Sequence, residues 1–240
     1  GAEHRTTAHI GSRLERAGLA PKQLSFGTGL VCDLGRVDGS APLVALRADI
    51  DALAMEDEKD VPYRSRVPGL SHACGHDVHT AVVLGAGLAL ERLLARRAPG
   101  GVRLVFEPAE EVVPGGAVDV IAEGHLSGVR QVFGLHCDPK TNIGRVGVRT
   151  GALTSAADII EISLHGPGGH TARPKLTIDL VQVAAHVAVA LPPAVAERAR
   201  QYGDLRVVFG ALLTGEAHNV IPTLARLRGS MRTPDRAAWK

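Results

Sequence analysis

Five side chains that can bind a metal ion or carry a proton lie close together in the first half of the chain. The stretch SHACGHDVHTA, residues 71–81, contains His72, Cys74, His76, Asp77 and His79. Side chains of these types can form a metal site, supply a nucleophilic thiol with its base, or simply make a solvated polar loop. The stretch alone leaves all three interpretations open.

The spacing of these residues separates the interpretations in part. A closed structural zinc site normally has paired Cys-x-x-Cys ligands, and no such pair occurs in the chain. A nucleophilic cysteine needs a histidine base nearby, and Cys74 has two close in sequence. Two ligand-type residues this close together, followed by a predicted helix, favour one edge of an open metal site.

Two adjacent carboxylates follow an apolar run in EPAEE, residues 107–111. One interpretation is an acidic loop at the start of a helix, where carboxylates favour the positive end of the helix dipole. The other is catalytic, with one glutamate bound to a metal and its neighbour taking a proton from water acidified to a pKa of about 7. Because one residue cannot serve both roles, the pair Glu110 and Glu111 is suited to serve them together.

His136, in the stretch LHCDP, follows a third apolar run. A single histidine in such a place is more often a hydrogen-bonded core residue. Beside the other two clusters, His136 is expected to bind metal instead. Its neighbour Cys137 is expected to pack as a small apolar side chain.

A glycine-rich loop, HGPGGHTARP at residues 165–174, contains His170. The loop lacks the G-x-G-x-x-G spacing and contains a proline, which argues against a dinucleotide site. A flexible loop that presents His170 to a ligand and an ordinary turn both remain open. Asn219 in AHNVIP and Arg232 in GSMRT lie in apolar surroundings, and arginine is the natural partner of a carboxylate.

The elements around these motifs predict how the motifs come together. Strand-like apolar runs at 42–48, 102–106 and 129–135, with a helix predicted at 80–97, indicate buried parallel or mixed strands with helices on both faces. Each run is followed by ligand-type residues: Asp49 and Asp51, Glu110 and Glu111, and His136. Open α/β sheets bind ligands at the carboxyl ends of their strands, so these residues are expected at one edge.

From about residue 153 the pattern changes. ADIIEISLHG, residues 157–166, alternates apolar and polar residues, which predicts a strand with one buried face. A helix at 176–192 and two further extended stretches follow. This order predicts a separate α+β module with an antiparallel sheet.

Composition excludes several classes of protein. With 240 residues, a formal net charge of +2 and 3% aromatic residues, the chain lacks the charge and stacking side chains typical of nucleic-acid binding. The 45% hydrophobic content excludes wholesale disorder. Without a run of 18 apolar residues or a leader, a soluble protein with no signal peptide and no membrane partner is expected. Three cysteines without regular spacing predict a reducing compartment and hence a cytoplasmic location.

Taken together, the motifs resemble those of the aminoacylase-like metallopeptidases. The resemblance is strongest to the amidohydrolase branch of hippurate hydrolases, auxin-conjugate hydrolases and bacterial N-acyl-amino-acid amidohydrolases. The matching stretches, in family order, are RADIDAL, HACGHDVHTA, FEPAEE with PGGA, VFGLHCDP, GPGGHTARP, NVIP and GSMRT, between about residues 3 and 234.

The resemblance implies an α/β fold with two domains. Residues 1–152 would form a zinc-peptidase-like catalytic domain with a mixed sheet, and residues 153–240 an inserted α+β, ferredoxin-like domain that acts as a lid and mediates a homodimer. Family members continue beyond the point that corresponds to Lys240 and supply one last histidine ligand there. On the family pattern the chain is therefore expected to be shortened at both ends.

The resemblance also implies roles for individual residues. Two divalent ions, zinc or manganese with cobalt or nickel as alternatives, would be bound by Cys74, His76, Glu111 and His136. Glu110 would be the general base, and His170 would stabilise the oxyanion, often across a dimer in this family. The supporting and substrate-binding residues implied are Asp51, Asp77 and His79 around the metals, and Asn219 and Arg232 on the substrate.

The implied reaction is attack of metal-bound hydroxide on the linear amide of an N-acyl amino acid or a related small conjugate. Two departures from the family pattern accompany it: Glu107 stands where family members have glutamine, and Lys175 where they have histidine. The alternative function is a catalytically inactive binding or dimerisation protein on the same scaffold, without the last metal ligand.

Overall fold

A computed structural model describes residues 1–97 and 100–240 and separates the chain into two units, Gly1–Ile143 and Gly144–Lys240. The assignment of 1–152 to a catalytic domain and 153–240 to a lid stays a prediction. Each unit is described by itself below.

The first unit is built around a five-stranded mixed sheet. Its elements are α1 (His4–Arg16), β1 (Lys22–Gln23), β2 (Leu30–Gly35), β3 (Leu43–Asp49), α2 (His76–Arg97), β4 (Gly101–Glu107), α3 (Ala117–Ala122) and β5 (Val129–Gly134). The strand order is β1-β2-β4-β3-β5. β3 runs parallel to β4 and to β5, whereas β2 is antiparallel to both of its neighbours. The mixed sheet expected from the apolar runs is confirmed.

Helices cover both faces of this sheet, as the buried runs predicted. α1 places Thr7, Ile10 and Leu14 in the interior, at the spacing of one helix face. Ile10 and Leu14 pack with α2 against one face of the sheet, in a cluster that includes Leu104 and Phe106. α3 contributes Val120 to a second cluster on other strand residues, which are Val31, Ala45 and Val105.

The second unit contains an antiparallel sheet, as the alternating pattern predicted. Its elements are β6 (Ala156–His165), β7 (Gly169–His170), a 3₁₀ turn (Pro174–Leu176), α4 (Leu180–Ala199), β8 (Arg206–Thr214), β9 (Val220–Ile221), β10 (Leu224–Thr233) and α5 (Arg236–Trp239). The three long strands pair in the order β6-β10-β8, and β7 pairs with β9 in a short ribbon. One face of the three-stranded sheet packs against α4 through a buried cluster that includes Leu180, Ala184 and Leu227.

The bounds of α4 differ from the helix predicted at 176–192. The helix begins later because Asp179 caps it, accepting hydrogen bonds from Val181 N and Gln182 N. It continues through Pro192 and Pro193 to Ala199. Packing explains the continuation, since Ala199 joins a buried cluster with residues of β8. α4 is long and apolar enough to cross a membrane. This is weak evidence for a membrane span, because one face of the helix packs on the three-stranded sheet.

Two glycines of α2 test the packing of the helix on the sheet. A Cβ atom on Gly87 would lie 2.4 Å from Cδ1 of the fully buried Leu104, whereas one on Gly85 would meet nothing within 4 Å. Alanine at either position raises helix propensity by about 1 kcal/mol. Overpacking at position 87 costs about 1–3 kcal/mol in addition.

We therefore expect G85A to be stabilised, and G87A to be about 1–3 kcal/mol less stable than G85A. Urea unfolding followed by circular dichroism measures both free energies. Equal stability of the two variants would contradict the packing of α2 on β4.

Candidate metal centre

The carboxyl ends of three parallel strands bring the chemically active residues to one edge of the sheet. β3 ends at Asp49, β4 ends at Glu107 in register with it, and β5 ends two residues before His136. The first turn of α2, which begins at His76, lies beside these strand ends. The edge predicted from the apolar runs is therefore present.

Asp51 connects two of the loops at this edge. Its carboxylate is buried, accepts a hydrogen bond from His76 Nδ1 at 3.0 Å, and accepts another from Glu111 N at 2.9 Å. His76 Nδ1 also lies 3.1 Å from the Asp51 carbonyl oxygen, which can only accept. The proton of the neutral imidazole is therefore on Nδ1, and the lone pair of Nε2 is free.

His76 Nε2 is buried and has no hydrogen-bond partner within the described residues. It lies 3.7 Å from Glu111 Oε1 and 4.0 Å from Glu110 Oε2. Ligand atoms of Cys74, His76 and Glu111 lie within 4.8 Å of one another. A buried acceptor without a partner costs free energy, and a cation placed between these three residues removes that cost. The residues therefore fit a metal ion.

His136 extends this cluster. Its Nε2 lies 3.4 Å from Cys74 Sγ, and its Nδ1 donates to the Cys137 carbonyl oxygen at 2.7 Å. The lone pair on Nε2 therefore faces the thiol, as it does in His76. The structure thus brings together all four predicted ligands, and their role in binding metal stays a prediction.

The charges around Cys74 argue against a nucleophilic thiol. Burial, together with the hydrogen bond and charge of Glu111, raises the pKa of Cys74 to about 11. Burial and the Glu111 carboxylate also raise the pKa of Glu110. A thiol that acts as a nucleophile needs a lowered pKa and electropositive surroundings, and this site provides the opposite. The negative surroundings suit a cation, which would itself favour the thiolate.

Asp49 belongs to the site, although the family resemblance implied no role for it. Asp49, His76 and His79 also form a compact group with ligand-type atoms. Asp49 is buried and receives a hydrogen bond from His79 Nδ1 at 2.6 Å. The signal in the sequence was its position at a strand end, two residues before Asp51. Asp77 is exposed in the first turn of α2.

The remaining predicted residues lie in the second unit. His170 Nδ1 accepts a hydrogen bond from Ala172 N at 3.1 Å, so the neutral ring carries its proton on Nε2. Asn219 lies beside it, and its backbone carbonyl oxygen accepts a hydrogen bond from Thr171 N at 3.1 Å. Arg232 is exposed near the far end of β10, roughly 26 Å of strand beyond Leu224. His170 and Asn219 are thus together, and Arg232 is apart from them.

Comparisons with known proteins assign the family. Residues 45–225 match the peptidase family M20/M25/M40. The chain is 43% identical over 237 residues to a Rhodococcus jostii (strain RHA1) protein named "Putative glutamate--cysteine ligase 2-3", covering 99% of this chain and 29% of that protein. It is 37% identical over 233 residues to the N-acetyl-L-cysteine deacetylase of Bacillus subtilis (strain 168), covering 97% and 55%.

A solved structure agrees with these matches. The YXEP protein of Bacillus subtilis, described as a dinuclear metal-binding peptidase from the M20 family, superposes with a TM-score of 0.75 at 33% identity. The match covers 99% of this chain and 60% of that chain. The chain thus spans little more than half the length of two of these relatives and less than a third of the other. With the matched residues and the site described above, the chain belongs to peptidase family M20/M25/M40.

Proposed function

We propose that the protein is a metal-dependent hydrolase of linear amide bonds in N-acyl amino acids or related small conjugates. The observation that carries the proposal is the buried His76 Nε2, which faces Cys74 and Glu111 and has no hydrogen-bond partner in the part of the chain that the structure describes. The family assignment and the relative named as a deacetylase support the same class of reaction. N-acylated cysteine is therefore the first substrate to test.

In this proposal Cys74, His76, Glu111 and His136 hold two divalent ions. Mixed nitrogen, oxygen and sulfur ligands suit zinc, and manganese, cobalt or nickel are alternatives. When bound, the ions would polarise the carbonyl group of the substrate and lower the pKa of bound water to near neutrality.

Glu110 is the general base of the proposed reaction. Its side chain is 41% exposed while its carboxylate lies 4.0 Å from His76 Nε2, so it borders the ligands and stays open to a substrate. Glu110 takes the proton of the attacking water and returns it to the leaving amine. Burial and the Glu111 carboxylate raise the pKa of Glu110, which makes its carboxylate a stronger base and favours the first of these two transfers.

Residues of the second unit serve the substrate. His170 Nε2–H would donate to the oxyanion of the tetrahedral intermediate, and Asn219 lies beside it. Arg232 binds the free carboxylate. Because Arg232 and His170 lie at opposite ends of the unit, one small substrate cannot contact both residues of the same copy. This separation supports a homodimer in which His170 serves the partner's site. We also propose that the protein is located in the cytoplasm.

The proposal is tested by substituting the general base. E110Q should abolish hydrolysis of N-acetylcysteine and hippurate-type substrates, because an amide cannot accept the water proton, while metal content by elemental analysis stays at the wild-type value. E58Q, at an exposed glutamate, is the matched control and should keep both properties. Retained turnover in E110Q would remove Glu110 as the base, and metal-loaded wild-type protein without turnover on any N-acyl amino acid would refute the function.

A second prediction concerns Arg232. Because a carboxylate hydrogen-bonded to arginine contributes about 1.5–3 kcal/mol, R232L should raise KM for N-acyl amino acids by about 10-fold or more. The corresponding C-terminal amides should be affected much less. R226L, at another exposed arginine of the same strand, is the control. An equal loss for acids and amides in R232L would contradict the assigned contact.

A further inference from the structure

A chain of hydrogen bonds runs from the end of β4 to the loop after β5. Glu107 Oε2 accepts from Arg47 Nε at 2.8 Å, and Arg47 Nη1 donates to Asp49 Oδ2 at 2.5 Å. The other oxygen of Asp49 lies 2.6 Å from His79 Nδ1. At the far end, Cys137 N donates to His79 Nε2 at 2.9 Å. Five residues from three strand ends and one helix are thus connected.

Most members of this hydrogen-bonded chain are buried. The side chains of His79, Asp49 and Glu107 are 0%, 3% and 7% exposed. Buried carboxylates are costly unless they are paired and hydrogen-bonded, and the Arg47 guanidinium pairs with both of them. Each member is therefore fixed by its neighbours in the chain.

The hydrogen bonds determine the tautomer of His79. A backbone N–H can only donate, so His79 Nε2 accepts from Cys137 and carries no proton. The proton is then on Nδ1, which donates it to Asp49. Both ring nitrogens are occupied by these bonds. His79 therefore supports the centre and does not bind metal, although it lies in a compact group with Asp49 and His76.

The Cys137 peptide is held from both sides. Its N–H donates to His79, and its carbonyl oxygen accepts from His136 Nδ1 at 2.7 Å. This second bond turns His136 so that Nε2 faces Cys74. Gly75 allows the close approach, because a Cβ atom there would lie 3.0 Å from the side chain of Cys137.

Packing alone does not fix the orientation of His136. The residue is exposed, and it follows β5, whose residues after Val129 are all exposed. Its ring is instead restrained by its hydrogen bond to the Cys137 carbonyl oxygen and by an edge-on contact with the His79 ring, at a centroid distance of 4.9 Å.

We propose that His79 is a positioning residue for His136, acting through the Cys137 peptide and fixed in its tautomer by Asp49, Arg47 and Glu107. This inference rests on the proposed metal-dependent function, in which His136 is a ligand. Residues that orient metal ligands contribute about 10–100-fold to metal affinity. Loss of the His79 acceptor should therefore weaken metal binding without removing any ligand.

The test is a cobalt titration of the metal-free purified protein, followed by the absorption spectrum of bound Co²⁺. H79L and H79N should bind Co²⁺ about 10–100-fold more weakly than wild type, with an altered spectrum. H79Q should recover affinity, because its Oε1 reaches the position of the imidazole Nε2 and accepts from Cys137 N. H9L, at an exposed histidine of α1, controls for nonspecific sites and should match wild type.

The outcomes separate this inference from the function on which it rests. Equal Co²⁺ affinity in wild type, H79L and H79Q overturns the positioning role and leaves the metal site intact. Failure of the wild type to bind Co²⁺ overturns both. If H79L does not fold, long-range ¹H–¹⁵N NMR of the wild-type histidines replaces it: a proton on Nδ1 of His79 supports the role, and a proton on Nε2 overturns it.

Discussion

The buried carboxylate of Asp51 is the constraint on which the site depends. By accepting from His76 Nδ1 and from Glu111 N, it fixes a helix terminus and a strand-end loop relative to each other. It also fixes which imidazole nitrogen is free. The same carboxylate therefore holds two elements of the fold together and sets the tautomer of a predicted metal ligand.

The charge balance of the site points to a cation. Burial, together with the carboxylates of Glu111, Glu110 and Asp49, raises the pKa of Cys74 to about 11. Arg47 forms ion pairs with Asp49 and Glu107, whereas within the described residues no lysine or arginine forms an ion pair with the two glutamates that face His76. A divalent ion is the simplest species that satisfies the imidazole nitrogen, the thiol and a carboxylate at once.

The sequence predicted the strand ends well because their signal is local. Apolar runs followed by Asp51, Glu111 and His136 required only that parallel strands end at one edge. The pairing of His79 with Asp49 and with Cys137 N was not predictable in this way, because it joins residues far apart in sequence through the tautomer of one ring. Local propensity likewise predicted that α4 ends at its prolines, whereas packing of the last turn extends the helix to Ala199.

The most direct test of a mixed-ligand metal centre is X-ray absorption at the zinc edge of Zn²⁺-loaded protein. Zinc bound by Cys74, His76, Glu111 and His136 should show a sulfur atom at about 2.3 Å together with nitrogen and oxygen atoms at about 2.0–2.2 Å. The sulfur contribution should disappear in C74S while nitrogen and oxygen ligands remain. A first shell of nitrogen and oxygen only in the wild type, or one unchanged in C74S, would contradict a centre built on Cys74, His76, Glu111 and His136.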